Sequence, residues 1–349
     1  MPKRTMGAAD TPRGKVQVDL ALHGGGSHGA FTWGVLDRLL EEPWLKIEAI
    51  SGTSAGAMNG AVLVSGYMKE GAEGARAALD AYWARVADAA RFSPIQRSPL
   101  DRLMNRWSLD TSPGYFAMDL MSRVVSPYNV NPFGINPISD ILEKSIDFAH
   151  LSEASIKLFI TATNVHTGRG RVFRNKDITP DVLLASACLP TMFQAIEIDG
   201  EPYWDGGFVG NPTITPLVRE SEAADVILVQ INPRERRETP RTASAILDRL
   251  NEISFNSPLM KELRMIALLR QAADPGSGEG ARWARMLTHR IVTDRLADFG
   301  ASSKLNAEGA FLAMLKEEGR RCADAFLREH GDDLGKRSTA DLDVLLAEV

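Results

Sequence analysis

Twice before residue 70 an apolar run ends in a knot of glycine and small polar residues and then passes into a helical pattern. That repeated transition constrains the fold more than any other feature of the chain. The first run, Val16–Leu22, leads into Gly24-Gly-Gly-Ser-His-Gly29, after which Phe31, Val35, Leu36, Leu39 and Leu40 fall at helical spacing. The second, 47–50, meets Ser51-Gly-Thr-Ser-Ala-Gly56, and 57–66 reads as a small-residue helix that packs closely on a sheet. Strands joined through helices run parallel, so the opening of the chain predicts a parallel sheet. Residues 157–163 and 225–231 are further strands, the latter apolar on both faces and therefore central. Residues 182–189 form a short buried helix, and 171–174 with 193–198 predict an accessory hairpin or sheet edge. The expected class is α/β, with a central, mostly parallel sheet between two layers of helices.

A chain of 349 residues with 44% hydrophobic content buries a large core. Residues 1–15 carry charge and two prolines without an apolar run and are expected to be a flexible N-terminus; 16–233 are expected to form the main sheet-bearing domain, and 234–349 a helical extension packed on or beside it. Within that extension, 259–273 and 309–328 are helical, with 274–280 a loop. Between 93 and 137 the pattern dissolves into proline- and asparagine-bearing sequence, read as a lid, a binding loop or a packed surface excursion. The net charge of −5 excludes a strongly basic global footprint, so no nucleic-acid partner is expected. Cys188 and Cys322 stand alone and far apart, which suggests reduced thiols rather than a disulfide framework or a zinc site. No stretch offers the roughly 18 apolar residues of a membrane span, and a cytoplasmic chain is expected. No cofactor and no metal are called for.

Gly52-Thr-Ser-Ala-Gly56 matches G-x-S-x-G in its strand–turn–helix setting, which makes Ser54 a candidate nucleophile held on a sharp turn. The helix that starts there adds partial positive charge where an oxyanion develops. Gly24, Gly25 and Gly26 can present backbone N–H groups to the same oxygen, forming an oxyanion hole, with Gly29 shaping the loop. In Trp204-Asp205-Gly206-Gly207, a carboxylate flanked by Gly206 and Gly207 can lean toward both loops and, if shielded from water, serve as a base.

In the order glycine cluster, G-x-S-x-G, D-G-G, the stretch from about Val16 to Leu217 resembles the patatin-like phospholipases, as do the run 185–193 and Asn211-Pro212. The resemblance implies a three-layer patatin-like fold and a Ser–Asp dyad without histidine. Ser54 is then the nucleophile, Asp205 its base and Gly25 and Gly26 the leading oxyanion donors. It implies hydrolysis of lipid acyl esters of the phospholipase or lysophospholipase type through an acyl-enzyme, with a lipid or other acyl-ester substrate. Scattered Trp107, Phe116 and Met118 are candidates for transient contact with a membrane surface, with no basic amphipathic helix to anchor it strongly. The family commonly has Arg or Lys where this chain has His28, which implies a weaker preference for anionic head groups.

Three other readings use the same residues. A non-lipid esterase or polyester depolymerase needs the same dyad. A dinucleotide-binding oxidoreductase fits Gly24-x-Gly26-x-x-Gly29, with Glu48 on the ribose, but leaves the serine turn and Asp-Gly-Gly without a role. A triad hydrolase draws its base from His289 or His330, both of which read more simply as solvated surface histidines beside arginines.

Overall fold

The computed structural model describes residues 14–344 apart from 105, 237 and 273–275. The expected flexible N-terminus therefore lies outside the described residues up to 13, as does the start of the expected 274–280 loop. Eight strands form one sheet: β1 (Val16–Leu22), β2 (Leu45–Gly52), β3 (Lys157–Asn164), β4 (Gly170–Arg174), β5 (Ile196–Ile198), β6 (Glu201–Asp205), β7 (Asp225–Val229) and β8 (Leu287–Ile291). Their order is β5-β6-β3-β2-β1-β7-β8, with β4 paired to β3. Strands β3, β2, β1, β7 and β8 run parallel, whereas β4, β5 and β6 form the antiparallel margin that 171–174 and 193–198 foreshadow.

Alternation along the central strands sends side chains to two cores. Val18, Leu20, Leu22, Ile227 and Val229 face the layer built by helices Gly29–Leu39, Ala55–Ala90 and Gly309–His330. Ala21, Val226 and Leu228 face the opposite layer, which includes Leu259, Leu263 and Ile266 of helix Ala243–Gln271. The chain is thus a three-layer α/β protein.

The region after 234 is helical as expected, but it also supplies β8, which extends the parallel sheet at β7. Helix Gly309–His330 crosses Gly29–Leu39 so closely that a Cβ on Gly34 would lie 1.9 Å from the Lys316 carbonyl oxygen. His289 corrects the expectation of a solvated surface residue. It sits in β8 fully buried, with Nε2 2.9 Å from Asp225 Oδ1 and Nδ1 3.0 Å from Thr339 Oγ1. His330 lies at a helix end beside Asp333.

The segment read as irregular between 93 and 137 contains short helices instead: Pro99–Leu103, Pro113–Val124, Pro127–Val130 and the start of Pro137–Ser145. Each opens on a proline preceded by Ser98, Ser112, Ser126 or Asn136, whose side-chain oxygen accepts from a backbone N–H of the first turn. Proline suits that position because the first N–H of a helix has no partner to lose. No residue of Pro113–Val124 is buried, and Leu103 and Phe133 are 85% and 86% exposed.

Candidate active site

The sheet itself brings Ser54 and Asp205 together. On β3, Ile160 pairs with Gly52, the last residue of β2, and Ala162 pairs with Asp205, the last residue of β6. Two strands far apart in sequence therefore end two positions from each other. Ser54 follows β2 with φ 53° and ψ −123°, a left-handed conformation that a side chain adopts only under constraint. The constraint is visible at the flanking glycines. A Cβ on Gly56 would lie 2.2 Å from the Leu22 carbonyl oxygen, and one on Gly52 2.6 Å from that of Gly56. The turn is also tied from outside: Ser54 N donates to Ser186 Oγ at 2.9 Å, Ser186 Oγ donates to the Thr161 carbonyl at 2.8 Å, and Thr53 Oγ1 donates to the Gly210 carbonyl at 2.7 Å.

The glycine loop lies directly on the serine. A Cβ on Gly24 would come 2.7 Å from Ser54 Cβ, and Gly24 N donates to Asn211 Oδ1 at 2.6 Å. Gly26 has φ 58°, and Gly29 opens its helix against Ala55 at the start of the other motif helix. Among the described residues the N–H groups of Gly25 and Gly26 donate to no protein acceptor. Two backbone donors are thus left over beside a strained serine at a helix N-terminus.

Asp205 is 2% exposed. Its N–H donates to the Cys188 carbonyl at 2.8 Å, its carbonyl accepts from Thr163 Oγ1 at 2.7 Å, and its Oδ1 accepts from Gly207 N at 2.7 Å. Gly206 passes where a Cβ would lie 2.0 Å from the Thr161 carbonyl oxygen, the same oxygen that holds Ser186. Burial pushes the Asp205 pKa up to about 7, while the Gly207 N–H and the Ser54 hydroxyl act in the opposite direction. A carboxylate poised there takes a proton from a hydroxyl far more readily than one near 3.8. The neighbouring Cys188 thiol is pushed up to about 12, first by burial and then by Asp205, and is chemically quiet.

The histidines stand aside. His23 and His28 are buried and both are held down to about 3 by burial, reinforced by nearby cations, so both are neutral. Ser303 Oγ already donates to the Gly300 carbonyl, so His28 Nε2 carries the proton and donates to Ser303 Oγ at 2.7 Å. His289 has both ring nitrogens engaged by Asp225 and Thr339. Glu48 lies part-way along β2, upstream of its last residue Gly52, and meets Lys46 and Lys157 there. It is not placed to hold a ribose beside the glycine loop. A surface cavity lined by Asp110, Tyr115, Asp248 and Glu252 does not include Ser54.

Two contributors were not singled out in the sequence. Ser186 lies inside the run 185–193, but nothing in one dimension shows that it bridges Ser54 to β3. Asn232, just beyond β7, donates from Nδ2 to the Gly24 carbonyl at 2.9 Å.

Among solved structures the chain is similar to VipD from Legionella pneumophila, at 15% sequence identity and a TM-score of 0.36, over 96% of this chain and 79% of that one. No curated protein matches it. The profile of the patatin-like phospholipases matches residues 20–218. That match spans more than half of the sequence and holds the strand ends, the glycine loop and the elbow within it, so the chain belongs to the patatin-like phospholipase family.

Proposed function

We propose that this protein hydrolyses lipid carboxylic esters through Ser54 and Asp205. The observation that carries the reading is the buried Asp205, poised at about 7 on the strand end facing the serine turn, with the histidines neutral or otherwise engaged. In the reaction Ser54 Oγ attacks the ester carbonyl carbon and Asp205 takes the hydroxyl proton. The carbonyl oxygen becomes an oxyanion that the N–H groups of Gly25 and Gly26 receive. Collapse of the intermediate expels the alcohol, which takes the proton from Asp205 and leaves an acyl-serine. Water then adds with Asp205 again as base, releasing the fatty acid and restoring Ser54. Lipid as the substrate class rests on membership of the family.

Membrane contact belongs to the same reading, with a change of residues. Trp107 is not free for it: it stacks on Phe311 with the Arg97 guanidinium 4.0 Å from its ring centroid. Phe116 is exposed, as are Leu103, Leu120, Val124, Phe133 and Ile135 of the same segment, whereas Met118 is half-buried. The segment starts beside the rear of the glycine loop, where Leu109 N donates to Ser302 Oγ. It ends beside the run before Asp205, where Gln194 Nε2 donates to the Asn131 carbonyl. An apolar surface at that place suits a lipid–water interface. Among the described residues no helix is long and apolar enough to cross a membrane. We place the protein in the cytoplasm, in keeping with its two free thiols.

The test is labelling with a fluorophosphonate followed by peptide mass mapping across pH. A single adduct on Ser54, forming faster as pH rises through about 7 and slowed strongly by Asp205→Asn, supports the dyad. Labelling elsewhere, or a rate indifferent to Asp205, overturns it. Release of fatty acid from phospholipid or lysophospholipid vesicles, rather than from short polyesters alone, decides for lipid.

A further inference from the structure

The glycine loop is held from behind by residues that lie outside the stretch matched by the family. Asn232 is 2% exposed and makes two side-chain bonds, Nδ2 to the Gly24 carbonyl at 2.9 Å and Oδ1 from Lys304 Nζ at 2.9 Å. Its orientation is dictated by its partners. A carbonyl only accepts and an ammonium only donates, so the amide can sit one way round. The same short segment braces the loop twice more: a Cβ on Gly26 would lie 2.4 Å from the Lys304 carbonyl oxygen, and Ser303 Oγ receives the His28 Nε2–H.

Peptide geometry turns this brace into a statement about the reaction. In a trans peptide the C=O and the following N–H point in opposite directions. Pinning the Gly24 carbonyl toward Asn232 therefore aims the Gly25 N–H away from Asn232, and that N–H is one of the two donors left without a protein acceptor. Were the peptide to turn over, a carbonyl oxygen would point where the N–H now points, and an oxyanion would meet repulsion instead of a donor. Burial, with Arg236, holds the Lys304 pKa below the usual lysine range against Glu252 and Asp248, so the relay rests on its hydrogen bonds and not on a charge.

We propose that Lys304, acting through Asn232, is a positioning residue that fixes the Gly24–Gly25 peptide in its donor orientation. The proposal rests on the ester-hydrolase reading above.

The test uses the full chain and a soluble p-nitrophenyl ester. Lys304→Met removes the donor but keeps most of the stem. The expected result is a fall in kcat of about tenfold or more with KM within about twofold, because the interaction matters to the oxyanion and not to the bound ester. Lys304→Cys treated with 2-bromoethylamine rebuilds a lysine-like side chain and is expected to recover most of the lost kcat. Wild type treated in the same way controls for Cys188 and Cys322. Should Lys304→Met fail to fold, Asn232→Asp, which sets a carboxylate against the Gly24 carbonyl, is expected to give the same kcat-selective loss in a protein with a cooperative unfolding transition. Folded Lys304→Met with unchanged kcat, or a loss that aminoethylation leaves in place, overturns the relay while wild-type turnover leaves the hydrolase reading standing. A wild type with neither turnover nor a Ser54 adduct overturns both.

Discussion

The catalytic corner and the 92–135 segment are built on opposite rules. At the corner, backbone passes backbone with no room for a methyl group at Gly24, Gly56 or Gly206, and Ser54, Asp205, Thr53 and Ser186 are each tied by bonds near 2.7–2.9 Å. In the segment, three short helices each carry their own cap, and large apolar side chains stand in solvent. Close packing defines one geometry and cannot adapt. A surface of short capped helices has little holding it to the core and presents apolar area outward. On the proposed function the chemistry belongs to the first region and the encounter with substrate to the second.

The largest expected effect lies at the corner. Ser54→Ala removes the nucleophile and is expected to cost about 10³-fold or more in ester turnover while leaving the unfolding transition in place. Asp205→Asn is expected to fall nearly as far, and the two changes together no further than the worse one, because the residues act as a unit. Steady-state kinetics on the two single variants and the double variant checks this. Additive losses would mean that Asp205 does not serve Ser54.

Asp205→Asn has a second consequence, of opposite sign, for stability. The folded chain holds the Asp205 proton up to about 7, against 3.8 for an exposed carboxyl. Stability from this group is therefore full below about pH 4 and is lost as pH rises through 7. The neutral amide escapes that loss. The variant is expected to be more stable than wild type at pH 8, by on the order of 4 kcal/mol at most, with the gain vanishing toward pH 4. Urea unfolding at the two pH values measures it, and a variant no more stable at pH 8 would mean that the carboxylate is solvated in the folded chain. Next in size is Gly56→Ala, whose added methyl meets the Leu22 carbonyl. It is expected to cost roughly 3 kcal/mol.

What the sequence discloses divides along the same line. The corner is legible because its demands fall on single residue types: only glycine fits at 52, 56 and 206, and a serine between two glycines after a strand has few other uses. What reads poorly is whatever depends on partners distant in sequence. Lys304 is an ordinary lysine until the fold sets it against Asn232, and His289 reads as a surface residue because β8, a short strand with arginine and histidine in it, shows no apolar run. The 93–137 region reads as irregular for a different reason: its prolines and asparagines suggest loop, although a capping side chain followed by proline is equally the opening of a helix.

The smallest expected effect on stability belongs to the exposed segment, and it tests the comparison most directly. Phe133 is 86% exposed and Leu103 85%, so replacing either by Asp removes almost no buried apolar area. Stability is expected to change by no more than about 0.5 kcal/mol, as for other surface sites. The same two changes bring charge to a face that would have to enter a lipid headgroup layer. Co-sedimentation with phosphatidylcholine–phosphatidylglycerol vesicles is therefore expected to fall several-fold. If Phe133→Asp instead lowers the unfolding free energy by more than about 2 kcal/mol, the side chain is packed in the folded protein and the segment belongs to the same close-packed regime as the corner. If stability and vesicle binding are both unmoved, the apolar face exists without contacting lipid, and substrate must reach Ser54 as dispersed molecules.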